Sequence, residues 1–171
     1  ADCAIAESKF EKGENITGRI LTIIPRVSEI RQRGTPDMEF AINGLLARSL
    51  LAAGQSEDAY RTIESLREKF AEEGRERFLP NMDAMLVRIS LHNGDLDYAD
   101  TWYREKAPRD PMRVNVMKRY QYLTQAMVEL ADGKPGASML TLSPLEDYVR
   151  SCGRHIDGIH LNILAAIALY R

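Results

Sequence analysis

Glycine recurs along this chain at an interval that few folds tolerate: Gly13, Gly54, Gly94 and Gly133 each close a helical stretch and are spaced by 41, 40 and 39 residues. A period of that size holds one helical hairpin, and a hairpin buries its apolar face only by stacking on the next. A second glycine follows three of the four, with Gly34, Gly74 and Gly153 standing 21, 20 and 20 residues after Gly13, Gly54 and Gly133. Each repeat therefore consists of two helices with a stop after each, glycine supplying the left-handed residue that ends a helix.

Apolar periodicity and punctuation predict helices near 2–12, 16–33, 37–53, 56–73, 79–93, 96–106, 112–132, 136–152 and 155–170, and no strand. In the second repeat Leu46, Leu50 and Leu51, then Ala59, Ile63, Leu66 and Phe70, fall at three-and-four spacing, one apolar stripe per helix. Pro36 and Pro80 are expected in first turns, where a missing N–H is harmless, and Asp95 and Ser56 as N-terminal caps. The fold class this predicts is all-α, a stack of antiparallel hairpins with repeats at about 2–34, 36–74, 77–108 and 112–153 and a half repeat at 155–171.

Composition narrows the function. A net charge of −2 without a clustered basic face argues against nucleic-acid contact. Two cysteines in 171 residues suit a reducing compartment, and the apolar runs are too short to span a bilayer, so a cytoplasmic protein is expected, without membrane partners.

Aligned on the first glycine, the repeats carry Ala6, Ala47, Val87 and Ala126 seven residues before it, and Phe10, Leu51, Leu91 and Leu130 three before. Five after stand Gly18, Ala59 and Ala99, with Ala137 one residue early. Small residues are what close helix crossings require. This small–Leu–Gly–Ala order resembles the tetratricopeptide repeat, although the period exceeds the usual ~34 residues; HEAT-type repeats are the alternative. The resemblance implies a single right-handed superhelix over 1–171.

The third repeat lacks a second glycine and has Lys106-Ala107-Pro108-Arg109-Asp110-Pro111 instead, so its second helix stops early, with Trp102 placed to fill the gap. Gly94-Asp95, Ala99, Trp102, Pro108-Arg109-Asp110-Pro111, Arg119-Tyr120-Gln121-Tyr122-Leu123-Thr124, Gly133-Lys134 and Gly153-Arg154 follow in one line. In that order they resemble the helical-repeat region of MalT-like members of the LuxR class of bacterial transcriptional regulators, most clearly over 94–171. The resemblance implies a sensing segment, with an effector or protein segment in a concave groove and with nucleotide-binding and helix-turn-helix domains elsewhere in a larger protein. A free-standing adaptor that binds peptide segments is the other reading. One period after Gly133 the next turn glycine falls near 172 or 173, which predicts that the chain is a piece of a longer protein or that it self-associates through 155–170.

No catalytic or cofactor-binding pattern emerges, and the chain is not expected to be an enzyme. His155 and His160, five apart, do not share a helical face as a metal pair would. Cys152, near a helix C-terminus, reads as a packing residue. The candidate groove residues are Arg48, Arg88 and Met127, six before their turn glycines, with His92 and Tyr120 at other inward registers, alongside Asn81, Ala84, Leu91, Leu123, Leu130 and Ala131. Arg48 and Arg88 suggest a clamp for carboxylate or phosphate, Tyr120 and Tyr122 a stacking surface, and Arg109, Arg113, Lys118 and Arg119 a basic group beside the proline break.

Overall fold

A computed structural model describes residues 2–29, 35–110, 114–115, 117–153 and 155–170. Among these residues there are nine α-helices and no strand: α1 Asp2–Glu11, α2 Thr17–Glu29, α3 Pro36–Ala52, α4 Ser56–Glu72, α5 Leu79–His92, α6 Leu96–Glu105, α7 Arg119–Ala131, α8 Pro135–Ser151 and α9 His155–Tyr170. A 3-10 turn, Glu76–Phe78, precedes α5. The chain divides into two compact units at Ile89/Ser90, inside α5.

The turn glycines behave as the spacing requires. Gly13, Gly54, Gly74, Gly94, Gly133 and Gly153 all have positive φ, between +63° and +78°. At Gly54 the amide donates to Leu51 O at 3.0 Å while the Gln55 amide reaches back to Leu50 O at 2.9 Å, and the same pair of bonds closes α7 at Gly133. Carbonyls that a helix end would leave bare are thereby satisfied. Gly34 lies outside the described residues.

In the first unit α1 packs on α2 and α3, α2 on α3, and α3 on α4. Ile42, Ile63 and Phe70 are buried between the last two, and each such side chain contributes about 1.5–3 kcal/mol. The Phe78 ring meets Phe70 edge-on, with centroids 5.3 Å apart. At Gly44 the end of the Met85 side chain lies over the backbone of α3, where an added Cβ would come within 3.1 Å of Met85 Cε. Charges tie the same helices together. Glu39 on α3 accepts from both Lys69 on α4 and Arg75 after it, and Arg67 meets the buried Asp83 at 2.5 Å.

In the second unit α6 packs on α7, α7 on both α8 and α9, and α8 on α9. Tyr122, Leu123, Ala126, Leu142, Leu145 and Leu161 form the core. Trp102 is buried on the short α6, as the proline break predicts. Pro144 sits inside α8, where its missing N–H deprives the Leu140 carbonyl of its usual helical donor. Arg119 and the buried Asp157 join α7 to α9 at 2.5 Å.

Three local expectations are corrected. Ser56 is the first helical residue and makes no capping bond; Gln55 holds the cap position, whereas Asp95 does cap α6, accepting from the Tyr98 amide at 3.1 Å. The helix expected from 112 begins at Arg119, because Asn115 Oδ1 accepts the amides of Met117 and Lys118 and holds those residues in a turn. The small position five residues after Gly133 is Ser138, fully buried, and not Ala137, while Gly18 is exposed and touches no neighbouring side chain.

Candidate functional site

The sequence-derived candidates fall in both units. Arg48 and Arg88 belong to the first; His92, Tyr120 and Met127 belong to the second. Arg48 is already engaged inside the protein. Its guanidinium bonds Glu11 on α1, lies 3.9 Å from Glu7 and stacks 4.7 Å from the Phe10 ring centroid. A carboxylate or phosphate ligand there has to displace two glutamates. Arg88 is half-buried, and His92 stands exposed in the last turn of α5. Tyr120 and Met127 are half-buried on α7, seven residues and so about two turns apart.

The remaining registers divide differently. Asn81, Ala84, Leu123 and Leu130 are buried and serve packing. Tyr122 is also buried, its hydroxyl donating to Asp110 O, so it presents no stacking surface. Burial above all holds its phenol above the ordinary value of 10.0. The basic group beside the proline break is dispersed: Arg119 pairs with Asp157, Arg109 donates to the Arg104 carbonyl, and Arg113 lies outside the described residues. Cys152 is a free, exposed thiol, correcting its reading as a packing residue: it stands at the C-cap of α8, past the last turn that meets the core. His155 and His160 are exposed, and among the described residues no group of three or more His, Cys, Asp or Glu is placed to hold a metal ion. No helix among them is long and apolar enough to cross a membrane.

A cavity of about 230 Å³ opens in the second unit between α6 and the C-terminal half of α7, and its lining includes none of the five candidates. Leu91, Leu96, Ala99 and Val128 give it apolar walls, Leu91 being one of the inward registers; Asp97, Asp100, Glu129 and Asp132 give it four carboxylates, with Lys134 as the one lining cation. Glu129 is 3% exposed. Its Oε1 accepts from the Tyr103 hydroxyl at 3.0 Å, the Gln125 amide at 3.0 Å and the Thr141 hydroxyl at 3.2 Å, while its buried Oε2 has no hydrogen-bond partner. Burial raises the Tyr103 phenol above 10.0, and the bond to Glu129 raises it further, keeping it a donor.

The signal for this site was present in the sequence. Glu129 stands three residues after Ala126 and seven after Tyr122, on the buried stripe of α7, where a charge is unusual. A second surface feature lies on α9. Ile156, Ile159, Ile163 and Ile167, spaced by three, four and four residues, are each at least 40% exposed and form an apolar seam.

Models of protein families, curated proteins and solved structures were each compared with the chain, and none matches it.

Proposed function

We propose that this chain is the effector- or partner-sensing repeat segment of a MalT-like regulator of the LuxR class, acting by binding and not by catalysis. Its helices are read as tetratricopeptide-like hairpins wound into a right-handed superhelix. The observation that carries the proposal is the cavity of about 230 Å³ between α6 and α7, below the volume of drug-sized sites but roomy enough for a small group, with most of its lining in the stretch where the motif order runs. Consistent with this reading, Gly94 turns the chain, Asp95 caps α6, and Ala99 and Trp102 are buried.

Packing between alternate helices, α1 on α3 and α7 on α9, supports the stacked-hairpin reading, since that is how neighbouring repeats meet. A ligand that favours one spacing of α6 and α7 over another shifts the population of arrangements by its differential affinity, and only that difference reaches neighbouring domains. The isoleucine seam on α9 supports self-association, or packing on a further helix of the same kind.

The test is a transcript profile of cells whose gene carries an in-frame deletion of 94–153. Loss of a sensing segment leaves a defined set of transcripts fixed, on or off, while the protein is still made. A profile identical to that of the parent strain refutes the regulator and favours the free-standing peptide-binding adaptor.

A further inference from the structure

We propose that the cavity between α6 and α7 binds a primary ammonium group on a short aliphatic stem, with Glu129 as its anchoring carboxylate. The proposal rests on reading this cavity as the sensing site and adds the chemistry of what it senses. Of the four lining carboxylates, Asp100 is paired with Arg104 at 2.8 Å and Asp132 with Lys134 at 2.5 Å. Asp97 and the Oε2 atom of Glu129 are left without a cation among the described residues. An anion entering here meets surplus negative charge, and a neutral donor can bond Oε2 but leaves that charge uncompensated.

Burial then makes the orphan atom informative. A carboxylate 3% exposed, with one oxygen bonded three times and the other not at all, is an uncompensated charge of the kind native interiors rarely leave. An ammonium has three donors and no acceptor, and so suits Oε2, which is covered at rest and is reached only as the side chains over it move aside. The C-terminal end of α7 adds its partial negative charge on the same side, since Ala131 and Asp132 also line the cavity. The stem has its own place against Leu91, Leu96 and Val128, which a bare metal ion leaves unused. Two sources share this chemistry, a free alkylamine and a lysine side chain of a partner segment.

Calorimetric titration of the whole chain tests the proposal with four probes: n-butylammonium, the capped tripeptide acetyl-Ala-Lys-Ala-amide, 1-butanol and butyrate. At least one of the two cations is expected to bind, and the one that binds tighter identifies the source. Glu129→Gln is expected to weaken that binding about tenfold or more, as loss of a charge-assisted bond does, and Asp97→Asn to weaken it less. Glu146→Gln, at an exposed α8 residue paired with Arg150, is expected to leave it unchanged. Should Glu129→Gln fail to fold, Asp97→Asn carries the test, since Asp97 is exposed and packs no core. The proposal is overturned if neither cation binds at about 10 mM, weaker than sites of this class, if 1-butanol binds as well as butylammonium, or if the folded carboxylate variants bind as the wild type does. Binding as expected, with a transcript profile insensitive to deletion of 94–153, sinks the regulator and not the site. Absent binding with a sensitive profile sinks the site alone.

Discussion

Gly94→Ala isolates what a turn glycine contributes. Gly94 has φ +78°, and a Cβ built on it meets no atom within 4 Å, so the substitution introduces backbone strain without a clash. Holding an L-residue left-handed costs about 1–2 kcal/mol. The narrower unfolded ensemble of alanine returns about 0.4–1 kcal/mol. The expected net loss is about 1 kcal/mol, or a fall in Tm of about 2–4 °C for a chain of this length. Gly136→Ala is the matched control: it lies in α8, has no positive φ and is equally open, so only the stabilising term acts, about 0.4–1 kcal/mol. Urea unfolding followed by emission of Trp102, the single tryptophan, reads both variants in the unit that contains them. Gly94→Ala as stable as the wild type, or Gly136→Ala less stable than it, refutes the claim that left-handed geometry selects glycine at these turns.

Tyr103 and Tyr122 bind their protons more tightly folded than unfolded, chiefly through burial, so the stability they contribute is whole below pH 10.0 and is lost as pH rises through their folded values; Tyr103→Phe should flatten that alkaline decline in unfolding curves. Asp157→Ala removes the buried partner of Arg119 and should destabilise the second unit by about 1–3 kcal/mol, read by the same Trp102 emission. Ile159→Glu with Ile163→Glu should abolish concentration-dependent sedimentation without lowering Tm, since both side chains are more than half exposed; unchanged sedimentation of an associating chain removes α9 as the contact.

Much of the architecture was legible because glycine and proline act locally. Gly54 ends α3 and Pro36 opens it through their own backbone preferences, whatever packs around them. Where a position is defined by its surroundings, sequence reasoning slipped. Ser138 takes the small crossing position at full burial, and counting only alanine and glycine as small shifted the register onto Ala137. The late onset of α7 depends on which amides the Asn115 side chain captures, a choice periodicity does not see. The site was less legible than the fold. Groove registers assume that a charged side chain on the inward face awaits a ligand, but Arg48 spends its charge on Glu7 and Glu11, more than thirty residues away in the chain. Glu129 went the other way, a charge inside an apolar stripe whose meaning emerges only once Tyr103, Gln125 and Thr141 converge on one of its oxygens.

The carboxylate of Glu39 is divided between two cations that reach it from positions six residues apart, Lys69 and Arg75, and Arg75 also leans on Glu73 and the Phe70 ring. Variation at 69 and 75 is therefore conditional. Either cation can drift to a neutral residue while the other still compensates Glu39, but the second loss strands a negative charge that is more than three-quarters covered. Substitutions tolerated singly at these two positions become incompatible in combination, and a history of sequence change in this helix pair has to alternate between them instead of visiting both.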